Sequence, residues 1–292
     1  MVRMTKIFVP GHISGFWYVI ESDAILRTGS LGAGLVVEPG LIIEYLDVNE
    51  CKVLYNDVEI DLKTYRDGHE IAGIPCKAIK VTSPFELGVG YGASAGVTIG
   101  GLYLSLSSAG IKTTWNKVGE YAHSAEVLNK TGYGDVLTEI YGGGLELRIS
   151  PGAPGIGAID KVPVSRNIRV ITIRRRKYST IEMFRRYGDT IKIYGPQAYN
   201  KFLEDPSIEK FGEVSHWFSR MTGMMSRSYE SRIKSILKNE IRRGSVIDFF
   251  VKKSLLVVIT DESGYLDVYN SLSNLGTPLV FTLNFSGCRI LY

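Results

Sequence analysis

The chain has little of what marks a metal, redox or membrane protein. Its 292 residues include only 3 cysteines and 4 histidines. Cys51, Cys76 and Cys288 stand far apart, with no CxxC pair and no His/Cys ligand spacing. Free thiols in a reducing compartment are therefore expected, not a zinc site or a disulfide framework. No apolar run reaches the roughly 18 residues that cross a bilayer, and the N-terminal stretch lacks a long apolar core with a cleavage site. Neither a membrane segment nor a signal peptide is expected, and the chain reads as soluble and cytoplasmic. The net charge of +4 is too small to imply a nucleic-acid partner and suits a small anionic substrate. The one basic run, residues 174–177, is expected as a solvated strand end or loop, with a binding patch as the other reading. There is no internal repeat, no low-complexity tract and no G-K-[ST] ending of a Walker A loop.

With 45% hydrophobic and 22% charged residues, the composition is that of a globular chain with one large or two medium domains. Its most distinctive stretch, Glu86-Leu-Gly-Val-Gly-Tyr-Gly-Ala-Ser-Ala-Gly96, has glycines at alternate positions 88, 90 and 92, followed by an apolar run. A glycine-rich turn that opens a helix aims free N–H groups and the positive end of the helix dipole at one point, as a phosphate cradle does. A turn that only lets the helix pack tightly fits the same residues. The third glycine comes too early for GxGxxG, and no acidic residue follows at the distance a dinucleotide site needs.

Further elements follow from periodicity and turn signals. Residues 5–9 read as a strand feeding a tight turn over 10–16, where His12 and Ser14 sit between glycines. Residues 28–34 read as a turn, 35–48 as a hairpin broken at Pro39-Gly40, and 52–61 as a short strand pair. A short helix is expected over 69–79, and a strand over 85–87 leads into the glycine loop. The loop's helix spans 93–109 with Gly110 as C-cap, its interior glycines implying a buried, tightly packed element. A second helix spans about 114–128. It carries His123 and Glu126 three residues apart, on one side. A glycine-punctuated turn then brings Asp135 to the start of a third helix, as an N-cap or a functional carboxylate.

In the second half, residues 143–148 read as a strand ending in Arg148, suited to bidentate capture of a carboxylate or a surface arginine at a strand end, and residues 167–173 as another strand. Ser179 and Thr180 cap a helical region that runs to about Arg243, broken near 188–197 and at Pro206. Phe211, Val214, Phe218 and Met221 are expected in the core, with Met224 and Met225 filling gaps. Residues 255–260 form a buried strand, and 279–283 with 288–291 a closing hairpin. Two helices and about four strands would make this half an α+β layer.

The glycine loop resembles the P-x-G-x-G-L-G-S-S-A nucleotide loop of the GHMP kinases, with Ala93 in place of the first serine and Tyr91 in place of the usual leucine. Within that superfamily, PGHISGFW, the GSLGAG stretch after Thr28, AHSAEVLNKTGYGDV over 122–136, and GGLELR followed by PGAPGIG and Asp160 resemble the archaeal pantoate kinases. The resemblance covers residues 5–160 well and the remainder loosely. The superfamily's third, Gly-rich motif is reduced here to Asn274-Leu-Gly-Thr277 and Phe285-Ser-Gly287.

The resemblance implies an α+β, two-domain GHMP kinase fold: a ribosomal protein S5 domain 2-like N-terminal domain over 1–160 and a ferredoxin-like C-terminal domain over 161–292. It implies ATP and Mg²⁺ as cofactors, pantoate as small-molecule substrate, no nucleic acid, no membrane, and a homodimer. Gly88, Val89, Gly90, Tyr91, Gly92, Ala93, Ser94 and Ala95 would hold the nucleotide. Ser94 and Glu126 would hold the metal, and Asp135 would take or orient the acceptor proton. His12, Ser14, Ser30, His123, Arg148 and Thr180 would surround the acceptor. The alternatives are another GHMP small-molecule kinase, acting on mevalonate or homoserine, and a nucleotide-binding sensor without turnover.

Overall fold

Two long strands with matched irregularities form the centre of the sheet. β1 (Lys6–Ile20) and β2 (Gly29–Tyr45) run antiparallel, with register shifts between Val9 and Gly11 and between Ser14 and Phe16. The computed structural model describes residues 6–48, 50–175 and 179–291. Thr5 and, in the basic run, Arg176 and Lys177 lie outside the described residues. Residues 10–16 and 29–34 are thus strand, not turns, and Pro39-Gly40 does not break β2. The reason is local. The bulge after Val9 absorbs the residues that Pro39 and Gly40 add on the facing strand, and bulges re-aim side chains without ending a strand.

The short pair β3 (Val53–Tyr55) and β4 (Val58–Ile60) forms as expected. The next helix starts earlier than expected: α1 is Lys63–Ala72, and residues 79–82 form β5 (Ile79–Thr82) instead. Gly73 in the left-handed conformation, φ 66°, stops α1. Residues 85–87 are loop, so β5 is the strand that leads to the glycine turn. Cys51 and Cys76 are joined in a disulfide, and only Cys288 is a free thiol. This corrects the expectation of three free cysteines and removes the thiol argument for a reducing compartment. Sequence separation hid the pairing, because β3 and β5 lie side by side in the sheet and bring the flanking cysteines together.

α2 (Ala93–Ser108) lies in the layer beneath β1 and β2. A Cβ at Gly96 would meet Leu41 and Val9, and one at Gly100 would meet Ile43, so its small residues permit this close approach. α3 (Trp115–Asn129) is capped by the Thr114 hydroxyl, α4 is Asp135–Tyr141, and α1 packs on α2 and α3. β6 (Leu145–Ser150) pairs with β2 and β7 (Ala158–Val162).

β8 (Ile168–Arg174) precedes α5 (Thr180–Leu203), which is capped by Ser179. α5 continues through Gly188 and Pro196, where breaks were expected. Its buried face of Met183, Ile191, Ala198 and Phe202 packs on β1. That burial outweighs the ~3 kcal/mol cost of an interior proline. α6 (Ile208–Met221) buries Phe211, Val214 and Phe218, but Met221 is 39% exposed, contrary to expectation, at the helix end. α7 (Arg227–Ile236) and α8 (Lys238–Arg242) follow, then β9 (Val246–Lys252), β10 (Leu255–Asp261) and α9 (Tyr265–Leu272). This half therefore holds more helix than the two predicted.

The last strands do not form a hairpin with each other. β11 (Leu279–Leu283) lies between β2 and β8, and β12 (Arg289–Leu291) pairs with β1. Among the described residues all strands join one 12-stranded sheet, whose main path is β4-β3-β5-β2-β11-β8-β10-β9.

Candidate active site

A cavity of about 250 Å³ lies where the glycine loop, the turn before α4, β1 and β2 meet α5 and the β9–β10 turn. Ser14, Ser30, Gly88, Gly90, Gly92, Ala93, Ser94, Asp135 and Thr180 line it. The loop takes φ values of 80° at Gly88, 133° at Gly90 and 75° at Gly92, a path that only glycine follows without strain. The N–H groups of Ala93, Ser94 and Ala95 precede the first intrahelical bond, from Gly96 N to the Gly92 carbonyl, and so stand as donors at the α2 N-terminus. Val89, Tyr91 and Ala95 send their side chains into the core. The Tyr91 ring stacks on Phe85 at 4.4 Å, and its hydroxyl lies 2.6 Å from that of Thr172. These three can meet a phosphate only through their backbone.

The two acids singled out in the sequence come together. Glu126, on α3, is fully buried, and neither carboxylate oxygen has a hydrogen-bond partner among the described residues. Burial, then the Asp135 charge, push its carboxyl up to about 7, against the pull of Ser94, Thr131 and Lys253. Asp135 is the first residue of α4. Gly134 is the N-cap, so the Asp135 carboxylate is not used for capping, contrary to that reading. A Cβ built on Gly132 would lie 2.6 Å from Glu126 Oε2 and 3.1 Å from Asp135 Oδ2, so both carboxyls face one point. Burial alone would raise the Asp135 carboxyl, but the His12 hydrogen bond and the Lys252, His12 and Arg148 charges hold it well below the usual range.

Behind Asp135 lies a buried polar chain. His12 Nδ1 is 2.6 Å from Asp135 Oδ1 and its Nε2 is 3.0 Å from Glu146 Oε1, and Arg148 pairs with the same Glu146 oxygen. His12 therefore orients Asp135 and does not line the cavity. Arg148 keeps Nε and Nη2 without partners among the described residues. A Cβ on Gly134 would lie 2.6 Å from Ser30 Oγ and 2.9 Å from Arg148 Nε. The partnerless Nε thus stands beside the Ser30 hydroxyl, a pairing that suits a carboxylate, while Nη2 faces Gly32 of β2 and Arg148 itself lies behind the cavity lining. His123 is apart from the cavity lining. Its Nε2 is 2.8 Å from the Thr28 carbonyl, tying α3 to the start of β2.

Sequence reasoning missed four charged groups. Glu139 is buried with both oxygens partnerless among the described residues. Burial, then the Asp135 and Glu126 charges, raise its carboxyl well above the ordinary value, and a Cβ on Gly92 would collide with it. Glu146 shares a strand face with Arg148 at i,i+2, a spacing that could have pointed to it. Lys252 is the last residue of β9, and Lys253 follows it in the β9–β10 turn. Lys252 donates to the Gly90 carbonyl at 2.8 Å, and Lys253 to Thr180 Oγ1 at 2.8 Å. Nothing local in the sequence sets these lysines apart from surface ones.

Among the described residues no three His, Cys, Asp or Glu side chains group to hold a metal by themselves. One partnerless carboxylate near a serine hydroxyl fits a hard cation that takes its other ligands from water and phosphate oxygens. No family model matches the chain. It is 29% identical over 283 residues to a pantoate kinase of Thermococcus kodakarensis, covering 89% of each chain. It is also 29% identical over 234 residues to a pantoate kinase of Methanocaldococcus jannaschii, covering 75% of this chain and 81% of that one. A solved phosphotransferase related to the CoA biosynthesis pathway superposes with a TM-score of 0.81 at 22% identity, over 99% of this chain and 98% of that one. The homoserine kinase of Cytophaga hutchinsonii superposes with a TM-score of 0.69 at 16% identity, over 100% and 98%. MDDEF in complex with MVAPP, AMPPCP and magnesium superposes with a TM-score of 0.70 at 9% identity, over 99% of each chain.

Proposed function

We propose that this chain, which has the GHMP kinase fold, is a pantoate kinase. It transfers the γ-phosphoryl group of ATP to the C4 hydroxyl of (R)-pantoate and so makes 4-phosphopantoate for coenzyme A biosynthesis. The observation that carries the reading is the meeting of Glu126 and Asp135 at Gly132, in front of the glycine loop and its Ser94.

The loop backbone and the α2 N-terminus bind the nucleotide phosphates. Ser94 and Glu126 would hold Mg²⁺, which would supply charge neutralisation for the transferring phosphates. Asp135, kept ionised by His12, Lys252 and Arg148, orients the acceptor hydroxyl and takes its proton. The Nε of Arg148 and the Ser30 hydroxyl hold the pantoate carboxylate, and Ser14 and Thr180 close the cavity around the acceptor. Each side chain comes from a regular element or a short turn, so the reacting groups are held near their working geometry before substrate arrives.

The test is an assay of ADP release with ATP, Mg²⁺ and pantoate, mevalonate or homoserine. Pantoate is expected to turn over well above the other two, and Asp135→Ala to lower kcat by about 10³-fold. Equal rates on mevalonate would point to a different acceptor. ATP binding without ADP release would point to a sensor.

A further inference from the structure

The β9–β10 hairpin carries two adjacent lysines, Lys252 as the last residue of β9 and Lys253 in the two-residue turn. Two-residue hairpin turns generally stand in solvent, and their left-handed positions favour glycine or asparagine. Here Lys253 takes φ 52°, and Lys252 and Lys253 are only 7% and 5% exposed. The turn enters the nucleotide side of the cavity from the C-terminal half, and both lysines line it together with Gly88, Gly90, Gly92 and Ser94. Their contacts differ. The Lys252 ammonium bonds the Gly90 carbonyl and so fixes the loop. The Lys253 ammonium bonds the Thr180 hydroxyl at the α5 N-terminus, and its charge acts on the buried Glu126 of α3. One cation is thus committed to the loop backbone. The other is bonded to a side chain at a helix start, lines the cavity, and acts electrostatically on the carboxylate that would hold the metal.

We infer that Lys253 is a catalytic residue of this site, its ammonium bonding the equatorial oxygens of the phosphoryl group in transit, with Lys252 as the positioning residue that holds the loop beneath it. The inference rests on the kinase reading above. In the step, the bond from the γ-phosphorus to the β,γ-bridging oxygen breaks and leaves its electron pair on ADP. The bond from phosphorus to the acceptor oxygen forms, and the hydroxyl proton passes to Asp135. Lys253 moves no proton. It donates hydrogen bonds where negative charge spreads over the three oxygens, the role that a cationic clamp fills in phosphoryl transfer. The Thr180 hydroxyl keeps the flexible lysine stem aimed before the phosphates arrive.

The experiment compares wild type with Lys253→Met, Lys253→Arg and Lys252→Met. Lys253→Met is expected to lower kcat by about 10²- to 10³-fold, with the pantoate KM and ADP affinity within about threefold of wild type. Lys253→Arg should recover a substantial part of kcat, and Lys252→Met should act mainly by raising the KM for ATP. A second readout is calorimetric binding of ADP with magnesium and fluoroaluminate, a mimic of the flat phosphoryl group. Lys253→Met should weaken this complex at least tenfold while ADP alone binds as before. Retention of both kcat and fluoroaluminate binding in folded Lys253→Met, judged by its near-ultraviolet circular dichroism, would overturn the assignment. If wild type left pantoate untouched, the kinase reading would fall, and the fluoroaluminate comparison would still decide the lysine's part. If Lys253→Met does not fold, Lys253→Gln takes its place under the same criteria.

Discussion

Among single residues, Glu126 has the most to reveal. Its carboxyl sits at about 7 instead of its ordinary 4.5, raised by burial first and Asp135 second. A carboxyl that holds its proton more tightly when folded contributes stability that is full below about pH 4.5 and is lost as pH climbs through about 7. Glu139 is shifted in the same direction. Asp135 is shifted the opposite way, but its contribution fades only in acid, below this window. The metal-free protein is therefore expected to melt at a lower temperature near pH 8 than near pH 5, with Glu126→Gln removing part of that slope. Calorimetric titration with Mg²⁺ and nucleotide should show tighter binding and less proton release as pH rises over the same range. A melting temperature that does not change with pH would refute this account of Glu126. Glu126 and Asp135 were readable from the sequence because each stands in a short local pattern, three residues from His123 or next to a glycine turn. Glu139 and Lys252 were not, because their significance arises from neighbours that are distant along the chain.

At the scale of elements, periodicity located most helices and the short strands, and failed where tertiary pairing overrules turn signals. Pro10-Gly11 and Pro39-Gly40 look like turns in isolation, yet they lie in or beside compensating irregularities of two paired strands. Pro196 looks like a helix end, yet α5 continues through it, packed on β1. The disulfide belongs to this scale as well, since it staples the segment before β3 to the segment before β5 across 25 residues. Closing a loop of that length stabilises a fold by about 3 kcal/mol through the entropy of the unfolded chain. Urea unfolding with and without a thiol reductant is expected to differ by about that amount, and Cys51→Ser should remove the difference. The same substitution at buried Cys288 should leave the reductant effect in place.

For the molecule as a whole, the determining contacts join sequence extremes. β12 pairs with β1, β11 fills the gap between β2 and β8, and the Cys288 N–H donates to the Glu139 carbonyl at 3.0 Å, next to the site. These pairings were the least legible part of the sequence, because two short apolar runs read as a hairpin until their partners are known. Deleting residues 279–291 is expected to expose three strand edges and uncover apolar surface that Phe281 and Leu283 now fill. Size-exclusion chromatography should then find the shortened chain aggregated, and recovery of a soluble species with unchanged circular dichroism would contradict this.

A ribosome reads this topology from one end. β1 and β2 emerge first, with the glycine loop soon after, and they must wait for strands made more than two hundred residues later before their hydrogen bonds are complete. Folding during synthesis can bring the glycine loop and its helix together early, but it cannot lock the sheet, so the nascent chain stays open to chaperone capture and proteolysis until β11 and β12 have joined it.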